Sequence, residues 1–122
     1  MNNILIKNAR IVDGTTDRAK DAVDIMLADG KVQDIGPSLT TSGDVTVIDA
    51  RDRFVMPGLI DMHIHVESET SPTRYLDGFT LNEADVAFRS LKYAEKNLMA
   101  GFTTVRDLGG SGVNIALRKA IQ

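Results

Sequence analysis

Two regimes of hydrophobic patterning divide the chain. Up to about Arg53 the apolar residues form short β-prone runs broken by turn residues. Ile4 and Ile6, then Ile11 and Val12, flank Asn8-Ala9-Arg10, and Asp13-Gly14-Thr15-Thr16-Asp17 is a turn cluster. Val23–Leu27 and Lys31–Ile35 read as two strands joined at Asp29-Gly30, a dipeptide that tolerates the positive φ angles of a two-residue hairpin turn. Gly36-Pro37-Ser38 ends the second strand, Thr40 to Asp44 is a loop, and Val45–Ile48 is a further strand. The expectation is a small antiparallel sheet without helices, its Asp and Arg side chains forming a solvated face.

After residue 56 the pattern becomes strand, helix, strand, helix, as in a parallel sheet or a β/α barrel. Leu59–Val66 is the first strand and Glu67–Thr73 a polar loop. Asn82 is placed to cap a helix, with Glu83 and Asp85 near the positive end of its dipole. Ala87, Leu91, Ala94 and Leu98 step by four, three and four, which predicts one apolar face. Gly101 suits a left-handed helix terminus. Phe102–Arg106 is a second short strand and Asp107–Gly112 a loop. Val113, Ala116, Leu117, Ala120 and Ile121 begin another amphipathic helix.

Composition narrows the function classes. Of 122 residues, 43% are hydrophobic and 25% charged, a globular mix that excludes a disordered tail. The net charge of −3 gives no electrostatic footprint for nucleic acid or an anionic membrane. No apolar run approaches the roughly 18 residues of a membrane span. The first residues lack a basic segment followed by an apolar one, so no signal peptide is expected, and a cytoplasmic location is. The chain has no cysteine, which excludes disulfides and thiolate metal ligands.

The candidate chemistry concentrates in Asp61-Met62-His63-Ile64-His65. Along a strand, residues 61, 63 and 65 share one face while Ile60, Met62 and Ile64 share the other. Two imidazoles so placed have Cα atoms about 6.5 Å apart and can converge on one ion. They are the only histidines in the chain, at the end of an apolar strand that enters a polar loop. The competing reading is two unrelated histidines on a wet strand, since His-x-His alone is a weak pattern. Neutral imidazole suits zinc, iron or nickel. Asp61 is a candidate to orient a ligand. Further ligands must be carboxylates, a modified lysine or residues from elsewhere; Glu67 and Glu69 are near, though such loop residues are more often solvated. Arg106 and Asp107, at the end of the second strand, either reach a substrate or pair with each other. Gly109-Gly110-Ser111-Gly112 precedes a helix, where backbone N–H groups can hold an anion. Ile115 stands where a dinucleotide fingerprint needs glycine, so a plain tight turn is the simpler account.

The run Val55-Met-Pro-Gly-Leu-Ile-Asp-Met-His-Ile-His65 resembles the signature of the metal-dependent amidohydrolase superfamily. Ile6–Gly14 and Asp29–Val32 resemble the strands that precede it there. Gly101-Phe-Thr-Thr-Val-Arg-Asp-Leu-Gly-Gly110 is similar to the second barrel strand of the branch holding imidazolonepropionase and Xaa-Pro dipeptidase-like members. In dihydroorotase-like relatives an Arg follows the histidine pair; Val66-Glu67 stands here, which points away from that branch. The resemblance implies an α/β protein in which residues 1–56 supply strands of a composite β-sandwich and residues 57–122 begin a TIM-like (β/α)8 barrel. It implies that His63 and His65 bind a divalent metal, zinc foremost, in a centre of one or two ions. It also implies hydrolysis of amide or dipeptide-like C–N bonds by a metal-activated hydroxide.

In that family the remaining ligands lie on later strands: a carboxylated lysine, two histidines and a final aspartate that acts as base. Only 122 − 56 = 66 residues follow residue 56, against about 250 in a closed barrel. The expectation is therefore the N-terminal part of a hydrolase, holding two of eight barrel units and inactive without the rest of the barrel or a complementing chain. Two rivals stand beside it. One is a non-enzymatic binding or assembly module that covers its strand edges by homo-oligomerising. The other is a small domain binding an anion at Gly109–Gly112.

Overall fold

The computed structural model describes residues 3–20, 22–51 and 53–122. They divide into two compact units, Met1–Pro57 and Gly58–Gln122.

The first unit is built on β1 (Asn3–Ile11), β2 (Val23–Ala28), β3 (Lys31–Gly36), β4 (Val45–Asp49) and β5 (Phe54–Val55). Asp29 and Gly30 both take positive φ, 51° and 71°, and Ala28 pairs with Lys31 across the turn, as the hairpin reading requires. The sheet order is β3-β2-β1-β4, with β5 also on β1. β1–β2 and β2–β3 are antiparallel, but β4 and β5 both run parallel to β1. The all-antiparallel expectation is thus corrected to a mixed sheet. Alternation reports which face a side chain takes and says nothing of the direction of its neighbour.

The two expected short strands around Asn8 are one strand with an irregularity between Ile6 and Ala9. Asn8 sits there at φ 57°, a conformation asparagine tolerates better than most residues. Its backbone N–H donates to Asp24 Oδ1 and its Nδ2 to Asp49 Oδ1, each at 3.0 Å. Asp24 is only 4% exposed, and its Oδ2 accepts from Leu39 N at 3.0 Å. The expectation of a wholly solvated acidic face fails at this residue. Its carboxylate satisfies two backbone donors that the sheet ladder leaves over. Ala9, Ile11, Ile25 and Ala50 form the buried core, flanked by Ile6, Val23, Leu27 and Val55.

The second unit runs β6 (Leu59–Ile64), α1 (Arg74–Thr80), α2 (Glu83–Met99), β7 (Phe102–Asp107) and α3 (Val113–Ile121). β6 and β7 pair in parallel, which a crossover through α1 and α2 permits. Asn82 caps α2 as expected: its side chain accepts from Ala84 N and Asp85 N, and Asp85 accepts in return from Asn82 N. Gly101 ends that stretch at φ 97°. The short helix α1 is unforeseen; its Thr73 cap makes no side-chain bond and it buries no residue.

Of the expected apolar face of α2, Ala87 and Ala94 are half-buried while the two leucines are not. Leu91 and Leu98 are 53% and 58% exposed, while Ser90 is fully buried and Val86, Tyr93, Ala94 and Asn97 are half-buried around it. A small residue at the centre lets the helix lie close to β7 and α3, and Ser90 Oγ finds a partner in Ala87 O at 2.8 Å. α3 buries Leu117 and half-buries Val113 and Asn114; Ile121 stays exposed.

Candidate metal centre

The two histidines stand at the carboxyl end of β6. His63 lies in the strand and His65 is the first residue beyond it. Both are exposed, with ring centroids 5.4 Å apart and ring planes at 73°. His65 Nδ1 lies 3.2 Å from the carbonyl oxygen of Gly109. A carbonyl only accepts, so Nδ1 is the donor in this contact, and in the neutral ring Nε2 is then the nitrogen with the free lone pair. That is the arrangement in which an imidazole acts as a metal ligand through Nε2.

The carboxylates around this pair are engaged with backbone. Asp61 Oδ1 accepts from His63 N at 2.9 Å. Asp107 Oδ2 accepts from Val66 N at 3.0 Å, and Oδ1 from Gly109 N at 2.9 Å. Arg106 is exposed and, among the described residues, forms no ion pair with Asp107. Glu69 pairs with Lys96 at 2.6 Å.

Glu67, a possible ligand by sequence on a loop where such residues are more often solvated, is half-buried. Its Oε2 accepts from Ser111 N and its Oε1 from Asn114 N, both at 2.7 Å. Burial pushes its carboxyl upward, and the Asp107 carboxylate acts in the same direction. The backbone N–H groups of Ser111 and Asn114, together with the Ser111 side chain, outweigh them and hold it below the usual glutamate range. The glycine loop therefore cradles an anion, as its composition allows, but the anion is the chain's own Glu67. This corrects the anion-binding reading of Gly109–Gly112. The cap of α3 is Gly112, at φ 111°, which has no side chain to satisfy the first helical N–H groups. A helix opening on such a cap needs an acceptor from elsewhere, and that is the one sequence signal that points to Glu67.

Beside His65 an open cavity of about 680 Å³ extends past Glu67, Ser71, Tyr75 and Arg89. Arg89 is held by Asp77 at 3.0 Å. Among the described residues no group of three or more His, Asp or Glu side chains converges to hold an ion. The donor set fits a divalent metal as far as it goes: two neighbouring imidazoles, one with its tautomer fixed.

The family model described as "Amidohydrolase family" matches residues 54–122. A dihydroorotase of Trichlorobacter lovleyi is 42% identical over 64 residues, covering 52% of this chain and 15% of that protein. Dihydropyrimidinase 2 of Caenorhabditis briggsae is 43% identical over 65 residues, covering 53% and 12%. The crystal structure of a Xaa-Pro dipeptidase with bound methionine in its active site superposes with a TM-score of 0.81 at 31% identity, covering 98% of this chain and 30% of that one. The chain thus spans less than a third of the length of each of these relatives.

Proposed function

Because the chain belongs to the amidohydrolase family, we propose that it forms part of a metal-dependent hydrolase acting on carbon–nitrogen bonds of small amide or dipeptide-like substrates. The observation that carries this reading is the histidine pair at the carboxyl end of β6, with His65 held by Gly109 O beside an open cavity. Barrel enzymes place their reacting groups at that end of their strands. In this reading residues 1–56 belong to a β-sandwich and residues 57–122 to a β/α barrel. Likeness over nearly the whole chain to a Xaa-Pro dipeptidase favours the dipeptidase-like branch.

His63 and His65 would hold the ion, zinc being the first choice for such imidazoles. When bound, a divalent metal supplies a Lewis acid that acidifies water and polarises a carbonyl. The chain's own residues do the rest of what this segment contributes. The Gly109 carbonyl keeps the proton of His65 on Nδ1. Asp107 ties the turn after β6 to the end of β7 through Val66 N and Gly109 N. Asp61 braces the strand at His63.

Elemental analysis and zinc titration of the purified protein test the reading. Wild type is expected to retain a divalent ion, and His63→Ala or His65→Ala to weaken zinc binding by more than about tenfold. Equal retention by all three would refute the site. Two donors do not complete a catalytic centre, so dipeptide hydrolysis is expected only when further polypeptide adds ligands. Robust cleavage by the 122-residue chain alone would overturn that part.

A further inference from the structure

We propose that Glu67 is a positioning residue for His65, acting through the loop that follows β7. The chain of contacts is short. Glu67 grips that loop at Ser111 N and the first turn of α3 behind it at Asn114 N. Gly109, two residues before Ser111, presents its carbonyl to His65 Nδ1. Glu67 and His65 are themselves only two residues apart, so one short segment holds both ends of the connection. Asp107 makes the complementary tie, reaching from β7 to Val66 N, the residue between them. The turn after β6 and the turn after β7 are therefore stitched in both directions, and the ring of His65 is the exposed product of that stitching.

The residue types are specific to this role. Both partners of Glu67 are N–H donors, so each carboxylate oxygen accepts one bond. A glutamine would turn its NH2 toward a donor, and an aspartate is one methylene short. Gly110 lies under the carboxylate: a Cβ there would meet Glu67 Cδ at 2.6 Å and collide with its Oε1. Gly110 does not have a positive φ, so glycine is needed there for space and not for backbone freedom. Glu67 and Gly110 thus form one fitted pair.

The inference rests on the proposed metal function only for its affinity readout, and the first measurement is independent of metal. In the metal-free 122-residue protein, imidazole nitrogen-15 shifts are expected to show His65 protonated at Nδ1. In Glu67→Ala the loop keeps the hold of Asp107 on Gly109 N but loses that of Glu67, so the Gly109 carbonyl should loosen and the ring should move toward the Nε2-protonated form that unconstrained histidine prefers. Zinc affinity should fall about tenfold, the scale of losing a partner that orients a ligand. Gly110→Ala displaces the carboxylate from the other side and should reproduce both effects. In the Glu67→Ala background the same Gly110→Ala change should add little, because its clash partner is gone. Should Glu67→Ala fail to fold, Glu67→Gln keeps the side-chain volume and should shift the tautomer in the same direction by less. An unchanged His65 tautomer in the folded variants, or additive effects of the two substitutions, would overturn the proposal. Wild type that binds no zinc but still loses the Nδ1 proton in Glu67→Ala would sink the metal reading and leave the positioning role standing.

Discussion

Asn8 shows how one residue organises the first unit. Its left-handed backbone would leave its N–H off the ladder, and the buried Asp24 collects that donor together with Leu39 N. Asp24→Ala removes the acceptor of both part-buried bonds, each worth on the order of 1–2 kcal/mol. Chemical denaturation should record a loss of about 2–4 kcal/mol, with Asp24→Asn costing less because one acceptor oxygen survives. Asp49 offers a second check. The Asn8 amide, then the Arg51 side chain and backbone N–H, lower its carboxyl from the ordinary value to about 2. A depressed folded-state pKa gives support that is complete above the ordinary carboxylate value and disappears as pH falls through about 2. An NMR titration of the Asp49 carboxyl carbon should find its midpoint near that value, and Asn8→Ala should raise it. A midpoint that Asn8→Ala leaves unmoved would remove Asn8 from this role.

At the scale of elements, α2 depends on its capping box. Asn82→Ala should lower stability by about 1 kcal/mol and Asn82→Gly by only a few tenths, measured by denaturation; equal effects would mean that the side chain of Asn82 does not cap. What could be read from sequence follows from how local each cause is. The Asp29-Gly30 turn, the Asn82 cap and the Gly101 terminus were legible because each is decided within a few residues. The parallel pairing of β4 and β5 was not, since pairing direction depends on partners far along the chain. The packed face of α2 was legible at Ala87 and Ala94 but not at Ser90, because the leucines outweigh a serine in any hydrophobic count, whereas close approach of the helix selects the small residue. The helix α1 has neither a capping bond nor a buried stripe to announce it. The histidine pair was visible in the strand alternation, but the part played by Glu67 was not, because its partners lie 44 and 47 residues away.

For the whole molecule, the outward apolar side of β6 matters most. Ile60 and Met62 are 62% and 59% exposed. Apolar surface of this kind on a strand marks a place where more protein packs. It is compatible with further barrel elements or with a second copy of the chain, and no helix among the described residues is long and apolar enough to cross a membrane. Sedimentation velocity of the 122-residue chain should show association that rises with concentration and that Ile60→Thr with Met62→Gln reduces. A single monomeric species unaffected by the double substitution would count against an uncovered face.

The parallel pairing of β1 with β4 also sets an order of events in folding. The β2–β3 hairpin closes over two residues and can form within microseconds. Ile6 meets Ile48 only after more than forty intervening residues have been brought into register. The entropy of closing that loop comes due before the sheet repays it. The hairpin should therefore gain structure ahead of β4, and substitutions in β4 should accelerate unfolding while leaving the folding rate nearly unchanged. In that order β4 joins after the hairpin, and its carboxyl end carries Asp49, so the hold on Asn8 is a late lock on a frame already begun.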